Sequence, residues 1–231
     1  MLITGGLFTS GVLLQKYVAS VAPPIVSTPL FDATSENDWA GLSPSGGAPT
    51  QTGNYLVFTG AESLRTDIIN TTTLTNDDYT YEFWVRTTGS NSGTLLLKLG
   101  DGGYTASAVE LSATTLVPGY WIDPQVYAEI STPITRDEWQ HYTVTYTTGG
   151  PLKTYYNGQM VDSSTLFAEE VSPRDYGITN MFFDLFADSV TNFGNGDALT
   201  ADFGEFRLYT RALSDAEVLQ NFEATRGRWG I

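Results

Sequence analysis

The residues able to do chemistry are few, and their types narrow the options. Among 231 residues there is one histidine, His141, and no cysteine. Disulfides, thiolate metal sites and cysteine nucleophiles are therefore excluded, and any histidine-based triad or metal site must use His141. On the strand expected around it, that side chain is a hydrogen-bonded structural residue. Calcium is the metal that suits an acidic, cysteine-free chain, since it takes six to eight carboxylate, amide or carbonyl oxygens. Loop acids at Asp101, Asp184, Asp188, Asp197 and Asp202, with Asn192 and Asn195, supply them. Asp188, Asn192 and Asp197 are the expected calcium ligands. The alternative is a solvated acidic face that keeps the protein soluble. Sugar recognition needs aromatic platforms beside polar groups. Tyr120, Trp121 and Asp123 follow Pro118-Gly119, and Tyr104 follows Asp101-Gly-Gly103. These four are the expected ligand-binding residues, unless Tyr120 and Trp121 straddle a strand with one of them in the core. Gly100-Asp-Gly-Gly103 lacks the Gly-Lys-Ser/Thr ending of a phosphate loop and reads as a turn.

The elements that must position these residues are mostly strands. Glycine numbers 23 and aromatics make up 13%, a composition that suits strands and turns. Tyr79, Tyr81, Phe83 and Val85 alternate with Thr80, Glu82, Trp84 and Arg86. This is the period of a strand buried on one face and partly covered on the other. Gln140 to Thr147 repeats it, with Tyr142, Val144 and Tyr146 opposite His141, Thr143 and Thr145. Phe206 and Leu208 share a side in Phe203–Tyr209. Asn157-Gly158 supplies the two positive-φ positions of a two-residue hairpin. Segments 41–53 and 188–202, rich in Gly, Ser, Pro, Asn and Asp, read as loops. One helix follows Ser214-Asp-Ala-Glu217, a capping box. It presents Val218, Leu219 and Phe222 on one face for about three turns, with Gly227 placed to end it. A single late helix after many strands predicts a lid on a sandwich.

Eleven basic and 26 acidic side chains give a net charge of −15. That charge repels phosphate backbones and anionic lipid heads, so no nucleic-acid partner and no membrane insertion are expected. Residues 1–29 carry no basic stretch ahead of their apolar run, as a secretory leader would. Gly5, Gly6, Thr9, Ser10, Gln15 and Lys16 interrupt them as a membrane span. They read as an N-terminal arm, either an edge strand on its own domain or an anchor on a neighbouring subunit. Residues 30–231 read as one domain.

Four stretches, in order, resemble the concanavalin A-like jelly-roll family in its laminin-G-like and pentraxin-like branch. They are Asn54–Gly60 with Leu64, Tyr79–Thr87, Trp139–Tyr146 through Tyr156-Asn-Gly158, and Gly204–Phe222. The resemblance implies an all-β, two-sheet antiparallel sandwich with one short C-terminal helix. The hydrolase branch carries Glu-x-Asp-x-x-Glu on one strand, with two carboxylates on a shared face. Here Glu36-Asn-Asp38 begins that pattern but Gly41 stands at the second Glu, and Glu169-Glu170 are adjacent. The expectation is a non-enzymatic protein. In the resemblance, relatives often carry Asp where Gly204 stands, either as a structural residue or near a calcium site, so its absence counts against a carried-over metal ligand. The ending Leu219-Gln-Asn-Phe-Glu-Ala-Thr-Arg-Gly-Arg-Trp-Gly-Ile231 resembles those of structural proteins of tailed bacteriophages. That implies a capsid decoration, fibre or tail adhesin on the virion exterior, with other virion proteins, copies of itself and host-surface glycan as partners. The alternative is a carbohydrate-binding or adhesion module of a secreted or surface bacterial protein.

Overall fold

The computed structural model describes residues 31–33, 42–44, 47–59, 62–66, 69–70, 78–88, 95–100, 105–111, 114–121, 126–127, 130–165, 180–187 and 200–231. In chain order the strands begin with β1 (Phe31–Ala33), β2 (Leu42–Pro44), β3 (Thr50–Thr52), β4 (Tyr55–Phe58), β5 (Leu64–Thr66) and β6 (Ile69–Asn70). There follow β7 (Tyr79–Thr87), β8 (Leu95–Gly100), β9 (Thr105–Leu111), β10 (Thr115–Trp121), β11 (Val126–Tyr127) and β12 (Thr132–Pro133). The last five are β13 (Gln140–Tyr146), β14 (Leu152–Tyr156), β15 (Gln159–Ser164), β16 (Asn180–Ala187) and β17 (Ala201–Tyr209), before helix α1 (Asp215–Trp229).

The strands form two antiparallel sheets. One has eight strands in the order β15-β14-β13-β7-β17-β4-β3, with β1 also on β17. The other has nine, in the order β11-β10-β9-β8-β16-β5-β2, with β12 on β10 and β6 on β16. The result is the expected jelly-roll sandwich with one C-terminal helix. The arm, residues 1–29, lies outside the described residues, and β1 begins directly after it.

The alternation read from the sequence sets the two faces of the eight-stranded sheet. Phe83 pairs with Tyr142 on one side and Phe206 on the other, and all three turn inward. Phe83 stacks on Phe203 with ring centroids 5.7 Å apart, and Phe203 meets Phe58 edge-on at 6.5 Å. Val144, Tyr81 and Leu208 continue this buried face, while Leu116 and Val109 are buried in the second sheet. At roughly 1.5–3 kcal/mol for each fully buried large apolar side chain, this layer is the main source of stability. The opposite face carries Thr80, Glu82 and Trp84 on β7, and on β13 it carries His141 and Thr143. All five are buried as well: α1 lies over Glu82, Trp84 and His141, and the chain just before it meets Thr80, whose Oγ1 donates to Arg211 O and accepts from Leu213 N.

Local readings hold with three differences. Asn157 (φ 47°) and Gly158 (φ 77°) both adopt positive φ in the hairpin between β14 and β15. A Cβ on Gly158 would also lie 2.9 Å from Phe222 of α1, so the turn must be glycine there. Ser214 and Glu217 cap each other as expected. The helix, however, continues through Gly227 to Trp229, and Gly230 closes it in the left-handed conformation. Segment 41–53 contains β2 and β3, and Ala201-Asp202 opens β17, so neither segment is wholly loop. Short polar strands such as Thr50-Gln51-Thr52 carry no alternation to betray them.

Candidate functional site

The described residues concentrate their titratable groups beneath α1. Glu82, buried at 1% exposure, stands opposite Arg207 in the β7–β17 ladder. Arg207 Nη1 donates to Glu82 Oε1 at 3.0 Å and its Nη2 donates to Glu205 Oε2 at 2.5 Å. Arg228, from the last turn of α1, also pairs with Glu205. Two carboxylates and two guanidiniums thus form one balanced cluster. Asn221 Nδ2 reaches down from the helix to both Glu82 oxygens, at 3.1 and 3.0 Å, and to Tyr209 Oη at 3.0 Å. Burial pushes the Glu82 pKa up, against the pull of Arg207 and Asn221.

His141 sits beside this cluster, fully buried. Its ring stands 5.0 Å from that of Trp84 and 5.9 Å from that of Phe222. Its Nε2 is 3.8 Å from Glu82 Oε2, beyond hydrogen-bond reach, and neither ring nitrogen has a hydrogen-bond partner. Burial, with the Arg207 charge adding to it, lowers its pKa to about 3. The ring is therefore a neutral packing residue at physiological pH. It is structural, as read from the sequence, but its side chain is not hydrogen-bonded as expected. Only its backbone is: its N–H donates to Asn157 Oδ1 at 3.0 Å and its carbonyl accepts from Asn157 N at 2.8 Å.

Glu82 and Glu205 are two buried carboxylates flanking one guanidinium. Their chemistry is spent on holding the helix. A glycosidase pair must face a groove that admits a sugar and a water, whereas these two are each 1% exposed under α1.

A second charged cluster closes one end of the same face. Arg86 Nε and Nη2 donate to Asp202 Oδ2 at 2.9 and 2.5 Å. The guanidinium carbon lies 5.1 Å from the Trp139 ring centroid and 5.7 Å from that of Tyr55. Trp139 in turn packs on Trp229 at 4.2 Å and meets Tyr55 edge-on at 5.4 Å. Trp139 is half-buried, and this chain's own side chains engage it.

The C-terminal motif now has a physical meaning. Trp84 Nε1 donates to Thr225 Oγ1 at 3.1 Å. Phe222 and Trp229 stack on Trp84 at 5.9 and 5.8 Å. Asn221, Phe222, Thr225, Arg228, Trp229 and Gly230 therefore each help seat or end the helix. Gly204 belongs to the same device, since a Cβ there would meet two Trp229 ring atoms at 2.6 Å. Glycine stands at that position because the indole occupies the space of a side chain. The sequence hid this, for the two residues lie 25 positions apart.

Of the expected site residues, Tyr104, Asp123, Asp188, Asn192 and Asp197 lie outside the described residues. Tyr120 and Trp121 are strand residues of β10, paired with Val126 and Thr105. Among the described residues there is no group of three or more metal-ligating side chains, and Asp202, one of the loop acids considered for calcium, is paired with Arg86.

Comparison with known proteins agrees with this architecture. A laminin-G-type family model of the concanavalin A-like lectin/glucanases superfamily matches residues 58–219. The chain belongs to this family. Among solved structures, it is similar to the botulinum neurotoxin serotype D binding domain, with TM-score 0.63, 12% identity and coverage of 85% of this chain and 51% of that one. The type G receptor-binding domain gives TM-score 0.60, 13% identity and the same two coverages. A binding domain of serotype DC, solved in complex with rat synaptotagmin II, gives 0.59, 12%, 85% and 51%. The chain thus spans about half the length of these solved chains, and at such identities the likeness is one of fold. They are binding domains. No curated protein matches the sequence.

Proposed function

We propose that this chain is a non-enzymatic recognition module, a lectin-like sandwich that binds cell-surface glycan through its loops while displayed on a virion exterior. The observation that carries the reading is the sealing of Glu82 and Glu205 beneath α1 in a lectin-type sandwich. The acid couple is committed to structure, which leaves binding as the role the family fold offers. Tyr104, Tyr120, Trp121 and Asp123 are the glycan residues in this proposal, with Asp188, Asn192 and Asp197 as calcium ligands. Residues 1–29 form the anchoring arm. Placement on a virion, beside other virion proteins and copies of itself, rests on the resemblance of the C-terminal stretch to phage structural proteins.

A glycan array probed with the intact chain, with and without Ca²⁺, tests recognition. Binding to a defined subset is expected, and no binding in either condition overturns it. Probing purified particles for the chain tests the placement, and its absence from them overturns that part. A second reading, a secreted or surface adhesion module, is favoured by the binding domains of botulinum neurotoxins among the similar structures. Coding sequences for capsid and tail proteins beside this one would oppose it.

A further inference from the structure

The eight-stranded sheet ends at β15, and this edge differs from its opposite. The far edge, β3, is Thr50-Gln51-Thr52, short and polar. Strand β15 is six residues long, and Met160 and Val161 are 49% and 46% exposed. The ladder slips here, with Thr154 opposite Asp162 but Tyr155 opposite Met160. Val161 is therefore an extra residue, and a bulge of this kind re-aims side chains. Met160 stands opposite Tyr155 and so shares its face, the face under α1, and Val161 is exposed beside it at the bulge. On α1, Asp215 Oδ1 accepts from Lys153 Nζ and from Tyr155 Oη, at 2.9 and 2.7 Å, and Phe222 lies over Gly158. That flank of the helix faces β14 and β15, and Leu219, 37% exposed, lies on it one turn from each. Exposed Met160 and Val161 on β15 and Leu219 on α1 thus give the seam where these two elements meet an apolar rim.

We propose that residues 1–29 of a second copy of this chain cover the β15–α1 seam. This rests on the reading of those residues as an anchoring arm. Two observations choose the occupant. The first is charge. Residues 1–29 contain Lys16 and no acid, so the chain's −15 leaves −16 on residues 30–231. Two bodies of that charge repel each other, whereas an arm free of acids approaches a body without that cost. The second is composition and reach. The arm supplies Leu2, Leu7, Phe8, Val12, Leu13 and Leu14 among its apolar residues. At about 3.3 Å per extended residue, 29 residues span roughly 95 Å, ample to cross to a neighbour. The contact is side-chain packing and not an added strand. The bulge interrupts the edge, and Asp162 Oδ1 already accepts from Ser163 N at 2.7 Å.

The absence of native cysteine makes the test clean. Full-length chain carrying Val161→Cys is labelled with a thiol-reactive benzophenone and mixed with isotopically heavy, unlabelled chain. After illumination, linked peptides are read by mass spectrometry. Links from position 161 to residues 1–29 of the heavy chain are expected. They should be lost when the label sits at Gln51→Cys on β3. Links within one chain, links to residues 31–231 of the partner, or no links overturn the proposal. Glycan retention by the same labelled chain reads the recognition proposal separately, so the two can fail independently.

Discussion

Replacing His141 by phenylalanine should flatten the acid side of the stability curve. The ring is fully buried and its pKa is lowered to about 3, against about 6.5 in an unfolded chain. The unfolded state therefore takes up the proton first as the solution is acidified. Stability from this residue is complete above pH 6.5 and drains as pH falls toward 3. By linkage the loss is roughly 1 kcal/mol at pH 5.5 and roughly 3 kcal/mol at pH 4.5. The groups facing the ring are Glu82, Arg207 and, through Arg207, Glu205. Glu82, with its raised pKa, takes up its proton in the folded state first and so acts in the opposite sense between its folded and unfolded values. That contribution is present in both proteins and largely cancels in their difference. The aromatic replacement retains ring contact with Trp84 and Phe222 and removes two nitrogens that have no hydrogen-bond partner. Urea midpoints at pH 7.0, 5.5 and 4.5 measure the effect, at constant ionic strength. The wild type should lose ground to His141→Phe by about the amounts above. Parallel curves for the two proteins would refute the reasoning, because they would mean that the imidazole is solvated or charged in the folded state.

Gly204→Ala should cost about 1–3 kcal/mol in thermal or urea unfolding, since its Cβ would press on the Trp229 indole. The same substitution should cost less in a Trp229→Ala background, and an equal cost in both would sever the proposed coupling. Arg207→Ala should destabilise by about 3–5 kcal/mol, because it leaves Glu82 and Glu205 buried without their shared partner. Glu82→Gln, which keeps the shape, should be milder. Calcium at millimolar concentration should raise the melting temperature if Asp188, Asn192 and Asp197 bind it, and chelator should reverse the shift. Identical melts in calcium and chelator would count against those ligands.

The inward alternation of β7, β13 and β17, the Asn157-Gly158 turn and the Ser214–Glu217 cap were legible because each is a local signal of period or turn chemistry. The outward face was harder. The alternation marks the face of Glu82 only as partly covered, and the helix laid over it turns Glu82, Arg207 and Glu205 into a buried ionic cluster. Gly204 looked like the loss of a metal-site acid, yet it is matched to Trp229 by packing across the fold. The helix ran past Gly227 because Trp229, anchored on Trp84, holds the last turn against a glycine's weak helix propensity. Tyr104, Asp123, Asp188, Asn192 and Asp197 rest on composition in turns, where no period or register constrains a side chain's direction, whereas Tyr120 and Trp121 fall in the register of β10.

Recognition without turnover has a single mass-based readout. Native mass spectrometry of the intact chain, mixed with a library of cell-surface glycans in the presence of Ca²⁺, tests it most directly. Complexes whose added mass equals that of an intact library glycan are expected. A spectrum in which no glycan is retained, or in which shortened glycans accumulate with time, would contradict it.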